Sequence, residues 1–427
     1  MRAMKDSGIL WIGEIPEGWT NVYLKHYFAF EKGKNAALYT QEYIGENEGI
    51  FPVYSGQTEN EGVMGRINTY DYDEPECLFT TTVGAKVMTP RVLQGKFSLS
   101  QNCLIMKSIK TTSVHFFYYG LSALFDYEKS LIPSHMQPSL RIEDLKKYKL
   151  FIPPLAEQQR IAEFLDRKCA EVDEMIALQE QIIEELKAYK QSVITESVTK
   201  GLNPDVPMKD SGIEWIGQIP EHWEQGRLKN YFHLHGRIGW NGLRSEEFQE
   251  NSYAYLVTGQ DFLVRNVDWN RCYQICKERY DEDEYIQLKN GDILVTKDGT
   301  IGKVAVVTNL DKPACLNSGI FVVKQFEPKR YNPDFIYWLF VSPILKTFND
   351  FLNLGGTTII HLYQNVFERM PMVLPPIEEQ EHIAEYLNTK CTEIDNLISI
   401  KQLKIDSLKE YKKSIIYEYV TGKREVE

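Results

Sequence analysis

The chain has 427 residues, 43% hydrophobic and 25% charged, a globular balance whose length exceeds one ordinary core, so two or three domains are expected. Its 48 Lys and Arg stand against 60 Asp and Glu, a formal net charge of −12, which excludes a surface that binds polyanions all over but leaves room for a local nucleic-acid site. No run approaches the ~18 apolar residues of a membrane span, and MRAMKDSGILWIG has no sustained apolar stretch, so no secretory leader is expected.

Seven scattered cysteines include one close pair, Cys272 and Cys276, without a second pair at zinc spacing. Buried free thiols in a reducing cytoplasm, and no metal site, are the expectation.

In chain order, the first element is a signature, MKDSGILWIGEIPEGW at 4–19, which returns as MKDSGIEWIGQIPEHW at 208–223 with 13 of 16 positions identical. Residues 20–150 then read as mixed α/β. CLFTT and NCLIMK are short strand-forming runs, and TSVHFFYYGLSALF is a candidate helix. At Pro153 a long helix begins, PPLAEQQRIAEFLDRKCAEVDEMI. A Pro pair suits a first turn, Glu157 lies near the positive end of the helix dipole, and no Gly or Pro follows until Gly201.

After the linker KGLNPDVP and the second signature, residues 224–374 repeat the mixed pattern with GDILVT, KVAVVT and GIFVVK, then a candidate helix in NPDFIYWLFVSPILKTF. A second long helix opens at Pro375 and runs to Gly422. Residues 153–199 fall on 375–421 with 23 identities in 47 positions and no gap. The chain is a tandem duplication. Its pieces are 1–152, a domain with the N-terminal signature; 153–201, a helix; 202–374, linker signature and second domain; and 375–427, a helix.

Both helices keep a seven-residue apolar rhythm: Leu165, Cys169, Val172, Ile176, Ile183, Leu186 and Val193 in the first, and Leu387, Cys391, Ile394, Ile398, Ile405, Leu408 and Ile415 in the second. That is a helix-pairing seam. Gln179 and Lys401 interrupt it at the same place, as do Lys190 and Lys412. At 1.5 Å per residue each rod would reach ~65–70 Å, and an antiparallel pair would hold the two variable domains apart. If the halves are related by a pseudo-twofold, the first signature docks beside the end of the second helix, bringing the chain ends together.

Residues 20–150 are electrically neutral, 224–374 carry −1 and the remainder carries −11, so a basic surface can gather only in the variable domains. No catalytic constellation stands out. TKDGTIGKV at 296–304 lacks the order of a phosphate-binding loop and reads as a hairpin. The Pro pairs follow Ile152 and Leu374, whereas an amino-methyltransferase wants Asn, Ser or Asp there. The chain reads as a recognition and assembly subunit.

Candidate DNA contacts are polar residues of loops. Arg suits guanine edges, Asn and Gln suit adenine, and Lys and Ser/Thr suit phosphates. In the first domain they are Ser55, Gln57, Arg66, Lys86, Ser100, Gln101, Asn102, Ser134, His135 and Gln137. In the second they are Arg237, Asn241, Arg244, Thr296, Lys297, Asp298, Lys303, Asn317, Ser318, Thr357, Thr358 and His361.

The doubled MKDSGxxWIGxIPExW, the doubled PPxxEQxxIAExL with its helix, DILVTKDGTIGKV and LSQNCLIMK together resemble the specificity (S) subunit of type I restriction–modification systems over essentially the whole chain. The resemblance implies an α+β fold: two mixed α/β target-recognition domains separated by two long antiparallel coiled-coil helices, with an internal pseudo-twofold repeat. It also implies a subunit that reads an asymmetric bipartite double-stranded DNA target and directs two modification (methyltransferase) and two restriction/translocase subunits to it. S-adenosylmethionine, ATP and Mg²⁺ would act on those partners. A coiled-coil protein-interaction adaptor without DNA reading is the alternative; it explains the helices but not two divergent loop-rich domains.

Overall fold

The computed structural model describes residues 2–57, 60–84, 87–133, 135–237, 243–327, 329–352 and 362–426. The chain divides into two compact units, one of residues 1–180 with 402–427, the other of residues 181–401. The long helices, Leu155–Lys200 and Ile377–Val420, each contribute one half to each unit.

The doubled signature folds the same way in both units. Met4–Asp6 pairs antiparallel with Glu14–Pro16, and Met208–Asp210 with Gln218–Pro220. Its polar letters close the turn: Asp6 and Asp210 accept from the Gly8 and Gly212 amides, and Ser7 and Ser211 from Ile9 and Ile213. Lys5 and Lys209 donate to carbonyls just after the second strand of each pair, at Glu17 and Trp19 and at Glu221 and Trp223.

Each signature then clips two helix ends together. The buried Trp19 indole donates to Glu157 in the first turn of the first helix, and Trp223 donates to Glu379 of the second. Trp19 also covers Gly422, at the end of the second helix, where an added Cβ would lie 2.4 Å from Pro16 and 3.2 Å from the indole. Trp223 covers Gly201 in the same manner, at 3.3 Å. Both glycines have positive φ, +75° at Gly201 and +70° at Gly422, so they also terminate their helices in the left-handed region. The expected docking of the first signature is present: Tyr417 donates to the Trp11 carbonyl at 2.8 Å, Lys423 donates to that of Glu14, and Arg2 lies 3.6 Å from Glu425.

Within each unit the helix halves run antiparallel. In the first, the Phe164 and Tyr419 rings pack at a tilt with centroids 4.4 Å apart, and Lys412 pairs with Asp173 at 2.6 Å. In the second, Lys190 pairs with Asp395 at 2.7 Å. The two lysines that interrupt the heptads therefore reach the opposite helix, each to the same aspartate of the repeat. Among the seam residues Leu165, Cys169, Val172, Ile183, Val193, Leu387, Cys391, Ile394, Ile405, Leu408 and Ile415 are buried, while Ile176, Leu186 and Ile398 are half-buried.

Each unit carries a sheet packed on both faces. In the first, the strand order is Phe28–Lys32, Cys103–Ser108, Tyr72–Thr81, Arg91–Leu99, Glu48–Tyr54, Val63–Ile67. Alternate residues serve two cores: Leu78, Leu104 and Met106 meet the helix Val114–Ser130, whereas Cys77, Phe79, Cys103 and Ile105 face the other side. In the second unit the order is Phe232–Gly236, Ile320–Gln325, Ile293–Thr296, Val304–Val306, Asn266–Val267, Phe262–Leu263. Val295, Phe321 and Val323 face the helices, and Leu294, Ala305 and Val322 face a second core with Leu256 and Cys315. Burial on both faces is why these strands read as unbroken apolar runs.

One sequence expectation changes. The late helix of the second domain is two helices, Pro333–Val341 and Pro343–Leu352. Ser342, between them, is extended (φ −62°, ψ 162°), because a residue before proline is driven out of the helical region. The long helices are tied to these domains by the Gln of PPxxEQ. Gln158 accepts from the Ser113 amide and the Thr112 hydroxyl, and Gln380 from the Asn332 amide, each at the start of a domain helix.

Candidate nucleic-acid interface

In the first unit, strands Glu48–Tyr54 and Arg91–Leu99 run parallel and finish together, with Tyr54 opposite Leu99. Tyr72–Thr81 runs antiparallel to Arg91–Leu99, with Tyr72 opposite Phe97, and ends where Cys103 opposes Thr81. Four segments nevertheless meet: those that follow Tyr54, Thr81 and Leu99, and the one that reaches Leu140. Three backbone hydrogen bonds lock them: the Ser100 amide donates to Tyr54 O at 2.9 Å, Thr82 to Asn102 O at 2.8 Å, and Leu140 to Thr82 O at 2.8 Å.

The second unit repeats all three. Asn317 donates to Val257 O at 2.9 Å, Lys297 to Gly319 O at 2.9 Å, and Leu362 to Lys297 O at 3.1 Å. Two domains with little common sequence thus place their loops with one backbone scaffold, while the side chains on it differ. Backbone positions with positive φ occur in the loops around these bonds, at Asn60, Glu61, Gly62, Gly84, Met88 and Asn102 in one unit and Gly299 and Gly302 in the other. Such positions let tight loops project.

The candidate residues separate by what their side chains touch. Gln101, Asn102, His135 and Gln137 are exposed in the first unit, and Arg244, Asp298 and Lys303 in the second. Arg66 is exposed on its strand and donates to Ile50 O at 2.9 Å. Asn317 and Ser318 are half-buried, the Asn317 side chain accepting from the Ser318 amide. Lys297 is half-buried over the Phe321 ring at 4.8 Å, and this burial lowers its pKa. Lys86, Ser134, Asn241, Thr357, Thr358 and His361 lie outside the described residues.

Other candidates hold the loops rather than present themselves. Arg237 is 2% exposed; its Nε donates to Leu316 O at 3.0 Å and its guanidinium reaches Cys315 Sγ at 3.4 Å, so a buried cation braces the loop end instead of facing a base. Thr296 is also 2% exposed and closes the 297–303 hairpin by donating to Thr300 O and accepting from the Lys303 amide. Ser100 is buried beside Cys103, and Gln57 donates to Val63 O across its own loop. Polar residues at tight turns are consumed by backbone groups that water cannot reach.

Two further features lie beside these loops. Arg91 shares the surroundings of Tyr54 with Arg66; burial raises the Tyr54 pKa and the two cations pull it back. Nothing in a strand sequence marks that position. Thr258 and Asp261 form a turn beside Thr296, with Asp261 accepting from the Thr258 amide and hydroxyl while burial raises its pKa. Here TGQD was a legible turn signal.

No helix among the described residues is long and apolar enough to cross a membrane. The chain matches the type I restriction modification DNA specificity domain over residues 16–188 and again over 220–410. It is 25% identical over 422 residues to the type I restriction enzyme MjaVIII specificity subunit of Methanocaldococcus jannaschii, spanning 96% of this chain and 93% of that protein. To the type I restriction enzyme EcoBI specificity subunit of Escherichia coli it is 28% identical, over 63% of this chain and 56% of that one. Its fold is similar, with TM-score 0.70 and 15% identity over 96% of this chain and 99% of the other, to a chain solved in work on complex assembly and conformational transition of the type I R-M system. With its paired loop ends and both halves matched, the chain belongs to the DNA specificity subunits of type I restriction–modification systems.

Proposed function

We propose that each unit reads one half of a bipartite, asymmetric DNA target with the loops that these backbone hydrogen bonds gather, and that the chain carries methyltransferase and restriction subunits to that target without a catalytic centre of its own. The observation that carries this reading is the threefold backbone lock shared by the two units, which holds loops of different chemistry in the same frame. A common scaffold with divergent side chains suits one task performed on two sequences. Exposed Gln101 and Asn102 in one unit, and Arg244 and Lys303 in the other, have the donor and acceptor types that suit base edges and phosphates.

The acidity of the remainder of the chain, −11, supports protein neighbours for the long helices rather than phosphates. On this reading two modification subunits and two restriction/translocase subunits assemble on the chain in the cytoplasm. S-adenosylmethionine, ATP and Mg²⁺ serve those partners. Methylome sequencing of the host with and without this gene tests the proposal. A bipartite adenine-methylation motif that vanishes with the gene is expected, and an unchanged methylome refutes it.

A further inference from the structure

In the second unit, strands Phe262–Leu263 and Asn266–Val267 form a hairpin with a two-residue turn, Leu263 opposite Asn266. Its tip is apolar and open to solvent: Leu263 is 58% exposed and Val264 85% exposed. Val264 also has φ +52°, a left-handed conformation that a β-branched residue rarely adopts and that Gly or Asn normally takes at this turn position. An exposed apolar residue in a strained turn has no folding advantage to explain it.

The tip is nevertheless held firmly. Arg265, the next residue, pairs with Asp334, donates to Asn388 and lies 5.7 Å over the Tyr337 ring, while its carbonyl accepts from the Val306 amide at 2.7 Å. The hairpin borders a cleft of about 710 Å³, whose other walls are the 297–303 loop and the helices Pro333–Val341 and Pro343–Leu352. Lys303 and Lys346 stand on its rim with Asp350. Val264 therefore shares a wall with the reading hairpin that ends in Lys303.

We infer that Leu263 and Val264 form a wedge that enters duplex DNA at a base step of the second half-site and partly unstacks it, with Lys303 on the neighbouring backbone. The inference rests on the DNA-reading role of this unit. Apolar side chains inserted between base steps distort a duplex, and the sequence dependence of that distortion adds specificity where no base edge is contacted. Rigid anchoring through Arg265 lets the tip push without folding back, and strain at Val264 keeps the side chain outward.

The test uses the full chain assembled with its own modification subunit and target duplexes carrying 2-aminopurine at successive positions of the second half-site. The variants are Val264→Gly, Leu263→Ser with Val264→Gly, and Val264→Leu. Wild type should raise fluorescence at one step. The double variant should lose that signal and bind the target about 10- to 100-fold more weakly, with non-specific binding unchanged. Val264→Leu should retain the signal. Val264→Gly relaxes the turn, so its melting temperature should be at or above wild type, which separates a lost wedge from lost folding.

A double variant with undiminished fluorescence and target affinity overturns the wedge while leaving DNA reading intact. Loss of modification-subunit assembly instead would overturn it by showing that the tip is a protein contact. Absence of sequence-specific binding by the wild-type assembly would remove the wedge together with the reading on which it rests.

Discussion

Arg237→Ala separates a bracing role from a base-reading one. The guanidinium is 2% exposed and its Nε donates to Leu316 O at 3.0 Å, one residue before Asn317, whose amide joins the loop end to Val257. Losing a buried charge-assisted hydrogen bond costs about 1.5–3 kcal/mol, because the carbonyl left behind stays away from water. Lost packing of the buried aliphatic stem adds roughly 1 kcal/mol. For a unit the size of residues 181–401, each kcal/mol lowers the melting temperature by about 2–4 °C. A fall of roughly 5–15 °C follows. Differential scanning fluorimetry measures it, and methylome sequencing gives the functional outcome: the second half-site should weaken as a whole. A melt unchanged within error, with recognition relaxed at one base pair only, would refute the bracing role and return Arg237 to the base readers.

Inserting one heptad near Gln179 and its counterpart near Lys401 keeps both apolar seams in phase and adds ~10 Å of helix. The unspecified gap in the methylated motif should then grow by about 3 base pairs, at ~3.4 Å per step, with both half-sites preserved; an unchanged gap would sink the spacer role of the helices. Gly422→Ala forces a Cβ to within 2.4 Å of Pro16 at φ +70°, so the signature clip should loosen. The cost should exceed the ~1 kcal/mol of an ordinary Gly-to-Ala strain, read as a lower melting temperature and faster proteolysis near the first signature. Lys303→Ala should flatten the dependence of log K on log salt by about 0.9 without changing the recognised bases, if Lys303 neutralises one phosphate.

Lys297→Met carries a pH signature. Burial lowers the Lys297 pKa below 10.5, so the folded state holds this proton less tightly than the unfolded chain. Its contribution to stability therefore rises with pH through the window below 10.5 and is least favourable at neutral pH. Met should stabilise the second unit at pH 7 by an offset that shrinks as pH rises, because only the wild type carries that rise, while DNA affinity falls. Denaturant melts between pH 7 and 10 check the sign; an equal offset at every pH would contradict it.

Repeat, helices and signature were legible in the chain because they rest on local rules. A Pro pair, a first-turn Glu and a seven-residue rhythm determine a long helix wherever they occur, and MKDSG closes its own turn through Asp6 and Ser7. The charge division is equally a property of composition, with the acidity kept out of the two variable domains. The roles of individual loop residues were not legible. Arg237, Thr296 and Ser100 have the right chemistry for reading DNA, and the fold buries all three. Arg91 and the Leu263–Val264 tip carried no turn or loop signal, yet the fold brings them beside the loops.

The physical reason is the same in each case. Whether a polar side chain meets solvent or a backbone carbonyl depends on strands far apart in sequence that finish at one level, as Tyr54 and Leu99 do. Periodicity and capping decide elements, since they involve neighbours along the chain. Only the tertiary register of the sheet decided which of those elements' residues remain free to read.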